Sequence, residues 1–98
     1  MAIVIWSFTA HEELDEIFDY VAKNSSKESA ITMTKKIVDR TKDLESFPKM
    51  GRVVPEIKDD KVRELIEGRY RIIYEMLDDD IVLIAKVYHT ARNLDKNS

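Results

Sequence analysis

Apolar positions recur along the chain with two different periods, and the change from one to the other divides it into elements. Ile3-Val4-Ile5-Trp6-Ser7-Phe8 is a run rich in β-branched and aromatic residues, the composition of a buried strand. Thr9 followed by Glu12 has capping-box spacing, and Leu14, Ile17, Phe18 and Val21 then recur at i, i+3, i+4 and i+7. This pattern predicts an amphipathic helix from Thr9 to the region of Asn24. Ser25 and Glu28 repeat the capping spacing, and Ala30, Met33, Ile37, Val38 and Leu44 carry a second apolar stripe until Phe47-Pro48 stops it. The Asn-Ser connection is short enough to make the helices antiparallel neighbours, whose apolar faces need a further surface to cover them.

Pro48 to Asp60 holds both prolines and one of the two glycines and reads as a crossing loop. After it the period drops to two. Lys61 to Glu67, Arg69 to Leu77 and Asp80 to His89 read as strands, separated by Gly68 and by Asp78-Asp79-Asp80, which supply turn chemistry. Connections this short predict an antiparallel meander. In its middle strand Tyr70, Ile72, Tyr74 and Met76 alternate with Arg69, Arg71, Ile73 and Glu75, so Arg71 is expected on the face turned away from the helices. The expected fold is α+β: an N-terminal strand, an αα-hairpin and a three-stranded antiparallel meander, forming one domain over residues 1–98.

Composition narrows the functional classes. The chain has 98 residues and no cysteine, so a single apolar core must hold it without disulfides or a thiolate metal site. No apolar run approaches the ~20 residues that span a bilayer, and the first residues lack the basic region of a secretion signal. A cytoplasmic location is expected, with neither metal nor cofactor. The formal net charge of −3 argues against a protein that coats nucleic acid nonspecifically. That charge is uneven: residues 1–48 carry nine acids and six bases, whereas residues 49–98 carry ten of each, so an anion-binding site is expected in the second half. Glu12, Glu13, Asp15, Glu16 and Asp19 crowd the early turns of the first helix, where carboxylates complement its dipole and keep one face wet.

Taken in order, the strand, the helix hairpin, Gly51-Arg52-Val53-Val54-Pro55-Glu56, Val62-Arg63-Glu64-Leu65, Gly68-Arg69-Tyr70-Arg71-Ile72-Ile73-Tyr74 and Val87-Tyr88-His89-Thr90-Ala91-Arg92 resemble the RelE/ParE superfamily. These are the toxin halves of bacterial and archaeal toxin–antitoxin pairs, and the resemblance covers nearly the whole chain. It implies the RelE/ParE-like fold, growth arrest, and a cognate antitoxin that wraps the toxin. Two mechanisms share this fold, so fold alone does not choose between them. ParE-like members poison DNA gyrase, whereas RelE-like members cut messenger RNA on the ribosome without a metal.

Metal-free RNA cleavage needs a base, an acid, and a cation facing the charge that develops on phosphorus. Under the resemblance, Glu56, Arg71 and His89 fall where the YoeB-like ribonuclease branch has its glutamate, arginine and histidine. Thr90, however, follows the histidine where that branch ends in an aromatic, and the acidic chain is poorly matched to the polyanionic ribosome. His89-Thr90-Ala91-Arg92 is similar to the close of the ParE-like branch. A gyrase poison needs a specific surface rather than a net positive field. The favoured reading is therefore ParE-like, with Arg63, Arg69, Arg71, Lys86 and Arg92 as target-binding cations, and with Arg63, Arg71 and Arg92 projecting together from the outer side of the meander. Duller roles stay open: His89 as a hydrogen-bonded residue at a strand end, Glu56 as a partner of Arg52 or Lys58, and Arg63 and Arg71 as ordinary exposed strand residues.

Overall fold

In a computed structural model that describes residues 1–91, the chain begins with β1 (Ile3–Trp6), α1 (Phe8–Asn24) and α2 (Lys27–Lys42), followed by a 3-10 turn (Asp43–Glu45). It continues with β2 (Arg52–Val53), β3 (Val62–Glu67), β4 (Tyr70–Asp78) and β5 (Ile81–His89). Both helices are capped by the residue before the first helical position. The Ser7 hydroxyl accepts from Ala10 N at 3.0 Å and the Ser26 hydroxyl from Ser29 N at 3.0 Å, each satisfying an orphan donor of the first turn. The expected caps, Thr9 and Ser25, are therefore corrected to Ser7 and Ser26. Ser7 wins because β1 ends at Trp6, and its hydroxyl also donates to Ala85 O on β5 at 3.0 Å, which ties the helix start to the sheet.

The expected meander forms as β3-β4-β5, and the sheet extends on both sides of it. The strand order is β1-β5-β4-β3-β2, with β1 parallel to β5 and every other pair antiparallel. The loop expected between Pro48 and Asp60 thus contributes a two-residue strand, and the chain's first strand lies beside its last. Val4, Trp6, Leu65, Tyr70, Ile72, Tyr74, Val82, Ile84 and Val87 meet Ala10, Leu14, Ile17, Met33, Ile37 and Leu44 in one core on the helix-facing side. Fully buried Ile37, Ile72 and Ile84 each contribute about 1.5–3 kcal/mol of transfer free energy. A smaller cluster of Val54, Ile73, Tyr88 and Val62 forms on the opposite, outer face. No helix among the described residues is long and apolar enough to cross a membrane.

One irregularity decides which way the functional side chains point. Ile73 faces Lys86 but Tyr74 faces Ile84, so Ala85 is an extra residue and β5 bulges there. Leu83 on one side of the bulge joins the outer-face row of Glu75. Val87 and His89 on the other side join the helix-facing rows of Ile72 and Tyr70.

Candidate functional site

The outer face carries a cluster of four charged side chains built by strand register. Arg52 on β2 lies directly opposite Glu64 on β3, and Arg71 on β4, which faces Ile66, is the diagonal neighbour of Glu64. Such cross-strand pairs are close enough to interact. Glu64 is fully buried and accepts from Arg52 Nε through one oxygen and from Arg71 Nε through the other. The remaining nitrogens of Arg71 are also engaged: Nη1 and Nη2 donate to the two oxygens of Glu56, both at 2.9 Å, the bidentate geometry that planar guanidinium favours. Glu56 reaches this position because Val54 O accepts from both Ile57 N and Lys58 N, curling the loop back over the sheet.

Electrostatics follows from this geometry. The Arg71 guanidinium beside Glu56 holds its carboxyl below the usual carboxylate range, and Glu56 and then Glu64 reinforce the charge on Arg71 against the opposing effect of burial. Tyr88 faces Arg71 from β5, with the guanidinium carbon 5.8 Å from its ring centroid. Burial pushes its phenol up, and among the described residues its buried hydroxyl has no hydrogen-bond partner.

Arg63 does not share this face. It is opposite Tyr74 on the helix-facing side, where Nη1 donates to the carbonyls of Lys49 and Gly51 at 3.2 and 3.0 Å and Nε to that of Asp60 at 3.0 Å. Its Nη2 pairs with the Asp60 carboxylate at 3.1 Å. The Tyr74 hydroxyl donates to Pro48 O at 2.7 Å and accepts from Gly51 N at 2.9 Å. Together these bonds fasten residues 48–51 to the sheet. The space is tight: a Cβ on Gly51 would lie 2.5 Å from Glu64 O and 2.7 Å from the Tyr74 hydroxyl.

His89 is also on the helix-facing side, and the bulge in β5 leaves it turned away from Arg71 rather than toward it. Its ring meets that of Tyr70 edge-on at 5.5 Å, and its Nδ1 accepts from Ala91 N at 3.0 Å. It lines a cleft of about 490 Å³ with Glu13, Glu16, Ile17, Tyr20 and Tyr70. β5 runs beyond the end of β1, whose Trp6 faces Ile84, and Glu13 serves the edge left there. One Glu13 oxygen accepts from Val87 N at 2.9 Å and the other lies 3.3 Å from Lys86 Nζ.

The expected cations therefore separate. Arg71 donates from each of its three nitrogens to two carboxylates, Arg63 is a loop fastener on the other face, and Lys86 pairs with Glu13. Arg69 is exposed and has no ion pair among the described residues, and Arg92 lies outside them. The expected common projection of Arg63 and Arg71 is overturned by register. Of the ribonuclease trio, Glu56 and Arg71 meet and His89 does not join them. Glu64 and Tyr88 were not expected at a site, Glu13 was expected only on a wet helix face, and Arg52 pairs with Glu64 rather than with Glu56. Glu64 was accessible, because alternation in 62–66 places it on the Arg71 face. Among the described residues, no group of three His, Cys, Asp or Glu side chains is placed to hold a metal.

A family model described as "ParE toxin of type II toxin-antitoxin system, parDE" matches residues 4–94. The chain belongs to the ParE toxin family. It is thus a toxin of the type II toxin–antitoxin class. The chromosomal ParDE toxin–antitoxin system of P. aeruginosa contains a chain of similar fold, with TM-score 0.76, 22% sequence identity, and coverage of 91% of this chain and 96% of that one. No curated protein matches the sequence. Among the described residues, the charged cluster on the outer face and the cleft between α1 and β5 both gather polar side chains.

Proposed function

We propose that the chain arrests growth as a ParE-like poison of DNA gyrase and is neutralised by a cognate antitoxin. The observation that carries this reading is the separation of the groups RNA cleavage would need. Arg71, the cation of the trio, directs a donor from each of its three nitrogens at Glu56 or Glu64, and the imidazole that would act as acid faces the other side of the sheet. An acid and a cation must converge on one phosphate to act together. Poisoning a protein–DNA complex has no such requirement: it needs a specific surface that holds the target in one state.

Purified chain mixed with gyrase, ATP and supercoiled plasmid tests the proposal. Cleaved plasmid should accumulate when the reaction is stopped by denaturing the protein. Intact plasmid, together with messenger RNA cut on programmed ribosomes, would establish the ribosome and its mRNA as the target instead. In that case Arg71→Ala and His89→Ala should each abolish cutting in folded protein.

A further inference from the structure

Both helices pack on one side of the sheet, and the outer side is only half covered. The turn carrying Glu56 shields Val54, Ile73, Tyr88 and Val62. Nothing among the described residues covers the other half. There the register sets two rows: Ile5 beside Leu83 beside Glu75, and Ile3 beside Ile81 beside Asp78. Ile3 is 62% exposed and Ile5 44%. Next to this aliphatic strip stand Glu75 and Asp78, continued by Asp79 and Asp80 in the turn. Among the described residues none of these four acids forms an ion pair, in contrast to the charged cluster on β2, β3 and β4.

We propose that the Ile3-Ile5-Ile81-Leu83 strip is a docking surface for a basic amphipathic helix of a partner protein, its aliphatic stripe on β1 and β5 and its lysines or arginines against Glu75 and Asp78. Dimensions and charge both select this occupant. Neighbouring strands are about 4.8 Å apart and a helix with side chains is about 10 Å wide, so one helix covers two strands and places a flanking cation over the third. An anionic partner would meet four carboxylates, and a wholly apolar one would leave them desolvated without partners. The strip is short, spanning two side chains per strand, so it holds about two turns of helix and binds weakly by itself. The inference is independent of whether gyrase or the ribosome is the target.

The test uses the full chain and a synthetic amidated peptide of leucine, alanine and lysine, with leucines at i, i+3, i+4 and i+7 of a helix and lysines along one flank. Methyl resonances of Ile3, Ile5, Ile81 and Leu83 should shift on titration, while those of Ile37 and Ile72 in the core stay in place. Ile5→Glu should weaken binding by about tenfold or more. Glu75→Lys should weaken it by about fivefold and should restore it toward a peptide whose flank carries glutamates. Ile5 is exposed and Glu75 only partly buried, so an unchanged melting temperature shows that both variants fold. Absence of methyl shifts, shifts confined to the helix-facing core, or a Glu75→Lys variant indifferent to flank charge would overturn the proposal. So would a dimeric mass for the free chain with these methyls protected, since a second copy would then be the occupant.

Discussion

At the scale of single residues, Glu64 is the hub of the outer-face cluster. Its loss removes two charge-assisted hydrogen bonds, while Arg71 keeps its bidentate pair with Glu56 and Arg52 is largely exposed to solvent. Glu64→Gln is therefore expected to cost about 1–3 kcal/mol, read as a lowered denaturant midpoint at unchanged slope. Glu56 is more exposed, and its pair with Arg71 is worth only about 0.5 kcal/mol after solvent screening. Its sign with pH is nonetheless defined. Arg71 lowers the folded pKa of Glu56, so the pair's contribution is fully present above the unfolded-chain pKa and is lost as pH falls through the lowered folded value. The stability difference between the native chain and Glu56→Gln should shrink across that acid window, and a difference that grew there would contradict the assignment. The outward direction of Arg71 was legible in the alternation of β4. Its pairing with Glu56 was not, because Glu56 arrives from a loop whose curl has no periodic signature.

At the scale of elements, the helices and the meander were legible because their apolar spacing is regular, and the failures fall at ends and irregularities. Two serines, two residues and one residue away from the expected caps, hold the helix starts. Ser7→Ala should cost about 1 kcal/mol in thermal or denaturant unfolding, and the lost bond to Ala85 O should make it the more damaging change than Thr9→Ala. β2 is two residues long, too short for a period of two to show, and the bulge at Ala85 is invisible to strict alternation. That bulge is what sends Leu83 outward while His89 faces the helices. Gly51 illustrates the same limit: its need for close approach to β3 and Tyr74 depends on contacts distant in sequence. Gly51→Ala should destabilise by about 1–3 kcal/mol through overpacking against backbone that cannot yield, checked by thermal unfolding.

At the scale of the whole molecule, the placement of β1 beside β5 joins strands distant in sequence, and among the described residues both helices lie on one side of the sheet. Antiparallel neighbours could be read from short connections, but a parallel pairing across most of the chain leaves no local trace. The consequence is that cationic residues close together in a strand pattern are distributed over two faces, and that Glu56 and Arg71 meet on one face while His89 lies on the other. If that separation means what we propose, His89→Ala should leave growth arrest intact while preserving the fold, scored by colony formation and by circular dichroism of the purified variant.

The proposed target of this member of the ParE toxin family is gyrase-bound DNA rather than messenger RNA. The most direct measurement is a time course of chromosomal DNA breakage and of protein synthesis in the first minutes after the chain is induced without an antitoxin. Breakage is expected first, with translation declining afterwards. Immediate translation arrest with cut messages and unbroken DNA would contradict the proposal.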